Sequence, residues 1–336
     1  MKKIVCLSVI ALLGPVLTLH AYDFESNGIY YNIIQGTKNV EVTHDGSYEN
    51  SYNGDVIIPE KIIFDGVNYS VLKIGSYAFW NCNRLTSIII PNTITDIEDW
   101  SFQGCKNLTS IILHDILTSI GSRAFSDSGL TSVKLPNSLI SIGGGAFSNS
   151  KLTSIDIPNS VTTMDGNIFS GCHELKSIII PGSVKKIPFC SFFGCNSLKS
   201  IIIPDGIETI GDEAFRHCLS LESIFIAKSV SNIGYNTFRS CIWLKSVEVQ
   251  WGDPKEVFAL DDIFEDVILW DVELIVPKGT EHLYAKADVW KNFGNITSVA
   301  NELIVPIDAY YSNGVLHVRN EKVEMVNIYS MSGQLV

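Results

Sequence analysis

The sequence predicts a mainly β solenoid with one parallel strand per repeat of 22–23 residues and short turns or helical pieces on the far side. Three observations predict it. A Phe recurs at Phe79, Phe102, Phe125, Phe147, Phe169, Phe192, Phe215 and Phe238, in steps of 23, 23, 22, 22, 23, 23 and 23 residues. Each Phe stands at position 18 of the same phrase, seen most fully in residues 198–218, with apolar or small residues at positions 1, 4, 6, 10, 13, 17, 18 and 21 counted from the opening Leu. Within the phrase, positions 4 and 6 are apolar, the period of a half-buried strand. Such a unit buries its apolar face only by stacking on its neighbours.

Residues 1–21 read as a secretory signal peptide. Lys2 and Lys3 form the positive start, 4–19 the apolar run, and Leu19, His20 and Ala21 an acceptable cleavage site. The run is short for a membrane span. The expected location is therefore secreted or cell surface, with no membrane insertion once the signal is removed.

Residues 22–70 are expected to form a β-rich N-terminal cap, because the first coil of a solenoid would otherwise expose its apolar end. Short β runs occupy 28–34, 40–44 and 56–64. Asp65 and Gly66 signal a hairpin into 67–72. Residues 55–59 imitate the strand part of a repeat.

Residues 71–249 are the array of eight repeats. Their strand phrases begin at Leu85, Leu108, Leu130, Leu152, Leu175, Leu198, Leu221 and Leu244. Pro91, Pro136, Pro158, Pro181 and Pro204 end five of them at position 7, since Pro cannot donate to a ladder. An Ile and Gly at positions 13 and 14 read as a second turn. Two repeats are one residue short, and the loss falls between the Phe and the next strand, so strand register is expected to survive. Eight strands would make a sheet about 40 Å long.

Residues 250–300 read as a degenerate repeat and C-terminal cap. Residues 274–277 form a last strand phrase, and a short helix is expected from Gly279 through Lys291 with Thr280 as its N-cap. Trp290 and Phe293 would close the open end. Residues 301–336 read as a small β unit, with runs at 315–318 and 323–329.

The phrase L-x-S-[IV]-x-[ILV]-P-x-S-[VI]-x-x-I-G-x-x-A-F-x-x-C resembles the BspA-like leucine-rich repeat family over about residues 55–300. The resemblance implies a leucine-rich repeat solenoid on a surface protein that binds a protein or glycoprotein ligand, as adhesins do. The tail, 315–336, is similar to the start of a type IX secretion sorting domain, without that domain's remaining strands or basic end. The resemblance therefore implies a truncated or vestigial sorting domain.

Composition narrows the function. A net charge of −12 with no basic stripe argues against nucleic acid. Cys82, Cys105, Cys172, Cys195, Cys218 and Cys241 all lie three residues after a repeat Phe, with Ser128 and Ser150 in the two short repeats. A secreted chain with many cysteines invites a disulfide reading, but a ladder of parallel side chains disfavours the pairing geometry. Buried thiols acting as small apolar residues fit better. Cys190 lies off the ladder, either free or paired with Cys195.

No catalytic, metal or cofactor site is expected, and the chain does not read as an enzyme. His173 and His217 stand two repeats apart without metal-ligand spacing. The acids Asp261, Asp262, Glu265, Asp266, Asp271 and Glu273 lack the pattern of a calcium loop and read as a solvated face. Gly143, Gly144 and Gly145 have no phosphate-loop context. Ser at position 3 in all eight repeats reads as a hydroxyl ladder along the strand edge.

Position 5 is the informative column. Strand alternation points it to solvent, yet it holds Ile89, Ile112, Ile179, Ile202 and Phe225 beside Lys134, Asp156 and Glu248. An apolar row on a wet sheet marks an interaction surface or a covered face, unless β propensity alone selects it. These five residues, with Lys176, Lys199 and Lys245 at position 2, are the candidate ligand-binding face. The alternative is a structural or spacer module of the cell envelope with no ligand of its own.

Overall fold

The computed structural model describes residues 21–47, 50–299, 309–312 and 315–318. Its axis is the Phe column. The eight repeat rings are fully buried and stack with centroids 4.8–5.7 Å apart and planes within 3–13°. Each offset pair adds roughly 0.5–1.5 kcal/mol beyond its buried area. Tyr52 extends the stack at one end, 4.4 Å from Phe79, and Phe264 at the other, 5.4 Å from Phe238. The whole is a mainly β solenoid of about ten coils with almost no helix.

Each coil has three sides that bond to the next coil. The strand phrase forms one. The second was not expected as a strand: Ile at position 13, read as the start of a turn, is the buried half of a two-residue parallel strand. Ser119–Ile120 pairs with Ser141–Ile142, and Thr209–Ile210 with Asn232–Ile233. The turn begins only at the Gly that follows. A Cβ at Gly121 or Gly143 would lie 2.6 or 2.5 Å from a backbone nitrogen of the preceding coil, so glycine lets the coils approach there. The third side runs beside the Phe column, where the amides of Arg123, Phe125 and Asp127 donate to the carbonyls of Gly144, Ala146 and Ser148.

The strand-phrase side departs from the expected unbroken sheet of eight strands. It forms a pair, Gly54–Ile57 with Leu85–Ile89; a second pair, Ser154–Asp156 with Ser177–Ile179; and a five-stranded sheet from Ser200–Ile203 to Asn295–Val299. Residues 108–114 and 130–136 carry no ladder. The break flanks the two short coils, where one residue, Gly129 or Lys151, replaces the usual two before the next Leu. Side-chain register survives: Leu130, Leu135, Leu152, Ile155 and Ile157 are buried. The position-2 threonines keep the link, the amides of Thr131 and Thr153 donating to the carbonyls of Thr109 and Thr131 at 3.1 Å and their hydroxyls to the same oxygens at 3.4 Å.

Before the array, β1 (Phe24–Ser26) and β2 (Ile29–Ile33) form a hairpin, β3 (Asn39–Thr43) follows, and β4 (Gly54–Ile57) serves as a strand phrase. The expected hairpin joins β5 (Lys61–Phe64) to β6 (Val67–Ile74). Asp65 and Gly66 both take positive φ, 48° and 73°, as a two-residue turn of that hand requires. β6 pairs with β3 and with Asp96–Ile97, which ties these strands to the second ladder. Phe24 and Phe64 stack at 4.0 Å.

At the far end, Glu273–Pro277 is a strand as expected, and Trp290 and Phe293 are buried. The expected helix from Gly279 through Lys291 is not there. One turn, Glu281–Tyr284, is followed by turns and a 3-10 segment, Trp290–Asn292. The Thr280 hydroxyl donates to the Pro277 carbonyl at 2.7 Å rather than capping the turn. Val289 at φ 69° stops any helix and turns Trp290 inward. Trp290 packs against Trp251, whose Nε1 donates to the Val230 carbonyl at 2.7 Å. In the tail, Ala309–Ser312 and Val315–Val318 form an antiparallel hairpin. Residues 323–329, most of the sorting-domain resemblance, and 1–20 of the signal peptide lie outside the described residues.

Candidate binding face

Strand alternation places the position-5 column as expected at its most exposed points. Ile89 is 58 % exposed, Ile112 73 % and Ile202 58 %. Ile179 and Phe225 are only half-exposed. Phe225 sits between Ile202 and Glu248 in parallel register, so each flank shields it. Burial pushes the Glu248 carboxyl above its ordinary value.

The five residues form two patches rather than one row. Lys134 and Asp156, both exposed, separate Ile112 from Ile179. The first patch gains a member that repeat counting misses: Ile57 of β4 pairs with Ile89 and is likewise exposed. The second runs Ile179, Ile202, Phe225, Glu248 and Ile275, the last three in continuous register.

The position-2 lysines differ from one another. Lys176 and Lys199 are exposed. Lys245 Nζ lies 2.6 Å from Glu222 Oε2, an exposed ion pair that leaves little net charge at its site. The position-3 serines of the main ladder, Ser200, Ser223 and Ser246, lie in register. Ser87 donates to Asp55 Oδ1 at 2.6 Å.

A further apolar ridge borders the second patch. The two residues after the ladder Cys are polar from Cys82 to Cys195, but Leu219 follows Cys218 and Ile242 and Trp243 follow Cys241, and Ile268 and Trp270 lie just beyond Val267, which takes the Cys place in the next coil. Trp243 is 64 % exposed and Trp270 76 %. These residues fall outside the recurring columns, which is why repeat reading passes over them. The signal was the switch from Asn, Lys and His to Ile and Trp at one column.

The other candidates resolve into structural roles. All seven cysteines from Cys82 to Cys241 are free thiols, and six are buried. Cys190 does not pair with Cys195; its Sγ lies 4.0 Å from Glu213 Oε2. His173 Nδ1 contacts the Gly194 carbonyl at 2.9 Å, and the His217 ring meets Phe193 edge-on. Glu265 and Asp266 bind Arg239 at 2.6 and 3.0 Å. Among the described residues no three His, Cys, Asp or Glu side chains converge on a metal position, and no helix is long and apolar enough to cross a membrane.

The repeat phrase, with its Phe and Cys columns now placed, matches the BspA type leucine rich repeat region in six copies, over residues 47–176 and 162–253. The chain belongs to the BspA-type leucine-rich repeat family. Its fold is similar to that of a leucine-rich repeat protein from Bacteroides ovatus, with 26 % identity, a TM-score of 0.63, and coverage of 83 % of this chain and 77 % of that one. A leucine rich repeat protein of T. pallidum matches at 23 % identity and TM-score 0.43, over 66 % of this chain and 90 % of that one. A leucine rich cell surface protein from Faecalibacterium prausnitzii matches at 20 % identity and TM-score 0.35, over 83 % and 95 %. No curated protein matches. The columns of the BspA-type repeat thus account for the core.

Proposed function

We propose that this BspA-type protein is secreted or displayed at the cell surface and binds a protein or glycoprotein through its strand face. The observation that carries the reading is the exposure of Ile89, Ile112 and Ile202 at one column of a parallel side. Folding does not require these side chains, because the same column accepts Lys134 and Asp156. Exposed apolar rows of this kind mark interaction sites, and aromatic neighbours such as Phe225 and Trp243 are the residue types that anchor interfaces. The apolar leader supports export. Lys176 and Lys199 at the rim add on-rate toward an acidic partner rather than affinity.

The test is binding to a panel of immobilised matrix and plasma glycoproteins, with the full chain beside an Ile89→Ser, Ile112→Ser, Ile202→Ser variant. Saturable binding that falls at least tenfold in the variant, with an unchanged thermal midpoint, supports the reading. Equal binding by both moves the site off the strand face. Absence of binding across the panel favours a spacer role in the envelope.

A further inference from the structure

We propose that the corner between the second ladder and the Phe column holds a separate site, for a neutral oligosaccharide, centred on Gly144 and Gly166. At this corner every coil displays its position-15 side chain. The column reads Ser76, Asp99, Ser122, Phe189, Asp212 and Tyr235, but Gly144 and Gly166 in two neighbouring coils. Neither glycine is required by its backbone, since neither has positive φ. A Cβ at Gly144 would find its nearest neighbour at 3.3 Å, the Gly166 carbonyl, whereas one at Gly166 would fall 2.4 Å from the Phe189 ring, which takes that space instead. The missing side chain at Gly144 is therefore not a condition of folding, and that at Gly166 makes room for the Phe189 ring.

Their absence opens a cavity of about 550 Å³. Arg123 forms one wall. Its guanidinium lies 4.7 Å over the Trp100 ring and makes no ion pair among the described residues. Phe189 forms the opposite wall, 50 % exposed, with its ring over Gly166. The backbones that carry the two walls stand three coils apart, and the Phe189 ring reaches back one coil to lie over Gly166, so the open floor lies at Gly144 and Gly166 between them.

The lining decides the ligand class. The hydroxyls of Ser148 and Ser170, the amide of Asn167 and the carboxylates of Asp127 and Asp165 offer donors and acceptors side by side. Asp165 and Asn167 have no side-chain partner among the described residues. Two carboxylates against one guanidinium disfavour an anion. A peptide would need a free sheet edge, an apolar groove or an arginine cluster, and this corner has none of these. A neutral sugar matches on both counts: vicinal hydroxyls for the polar floor, and an apolar ring face for Phe189. This site does not depend on the strand-face reading.

The full chain is applied to an array of neutral oligosaccharides of glucose, mannose, galactose and N-acetylglucosamine, three to six units long, beside sialylated and sulfated ones. The strongest neutral binder is then titrated. The expected result is saturable binding to a neutral member, weakened at least tenfold by Gly144→Gln and by Phe189→Ala with thermal midpoints unchanged, and unaffected by Ile202→Ser. If Gly144→Gln lowers the midpoint, Phe189→Ala decides. Retention of acidic members only, no retention at all, or wild-type affinity in the folded cavity variants overturns the proposal.

Discussion

Cys218 donates its thiol proton to the carbonyl oxygen of Phe192 in the preceding coil, across 3.2 Å. The same bond joins Cys105 to Phe79, Cys172 to Phe147, Cys195 to Phe169 and Cys241 to Phe215, at 3.0–3.3 Å. Each of these Phe carbonyls also accepts the amide of the Cys three residues on in its own coil, or of Ser150 in one short coil. The thiol thus serves a second lone pair that no other donor reaches, while its sulfur fills the core beside the ring. The thiols of this column are thus engaged singly, which is why a disulfide reading fails; the serines differ, Ser150 Oγ meeting Cys172 Sγ at 3.3 Å and Ser128 Oγ having no hydrogen-bond partner among the described residues.

Native thiols should therefore be nearly inert. Burial holds Cys105, Cys195 and Cys218 far above the ordinary thiol value, and Cys190 is raised as well, first by burial and then by Glu213. In the folded protein at pH 8, a chromogenic disulfide reagent is expected to label at most Cys190 among the seven cysteines from Cys82 to Cys241, and slowly. Denaturant should release the other six. Rapid labelling of several in the native state would contradict the buried ladder.

The same thiols predict alkaline lability. Burial pushes Cys82 and Cys172 up to about 11, and Cys241 to about 12, from an ordinary 9.0. A raised folded value means the protonated thiol is favoured in the fold. Its stabilisation is complete below pH 9 and is lost as pH climbs through the folded value. Each such thiol costs about 1.4 kcal/mol for every pH unit within its window. Tyr31, Tyr52 and Tyr284, also raised by burial, add to the loss above pH 10. The urea midpoint should fall steeply between pH 9 and 11. A midpoint that stays flat over that interval would argue against it.

Core substitutions should act locally. Phe215 stacks 5.0 Å from Phe192 and 5.5 Å from Phe238, so Phe215→Ala should cost about 3–5 kcal/mol by cavity formation. Ile201→Asp places an unpaired charge at a buried site and should cost more. Because each coil contacts only its neighbours, hydrogen exchange in Ile201→Asp should quicken around residues 175–240 and stay slow around 79–125. Uniform loss of protection along the chain would show that the array melts as one unit instead.

Much of this fold could be read from the sequence because its core is columnar. A Phe, a Cys and an Ile that recur at fixed positions identify themselves, and the turn at Asp65 and Gly66 carries its own φ requirement. The second ladder was hidden because two residues, such as Ser141 and Ile142, are too few to show alternation. The helix expected after Thr280 stops after one turn, at Tyr284, and the left-handed backbone of Val289, which no propensity rule anticipates, keeps it from resuming. On the candidate face, alternation identified the exposed positions Ile89, Ile112 and Ile202. It overstated Ile179 and Phe225, since period 2 assigns a side but not the bulk of the neighbouring coil. Trp243 and Trp270 stand outside the columns, so the pattern that revealed the core concealed them.

The strand-face claim is tested most directly by photo-cross-linking. A photoreactive residue is placed at Ile202 in one protein and at Thr162, exposed beside the second ladder, in another. Each is irradiated with the glycoprotein of the panel that binds best. The account predicts a strong cross-link from position 202 and a background signal from 162. Equal yields, or a cross-link from 162 alone, would contradict it.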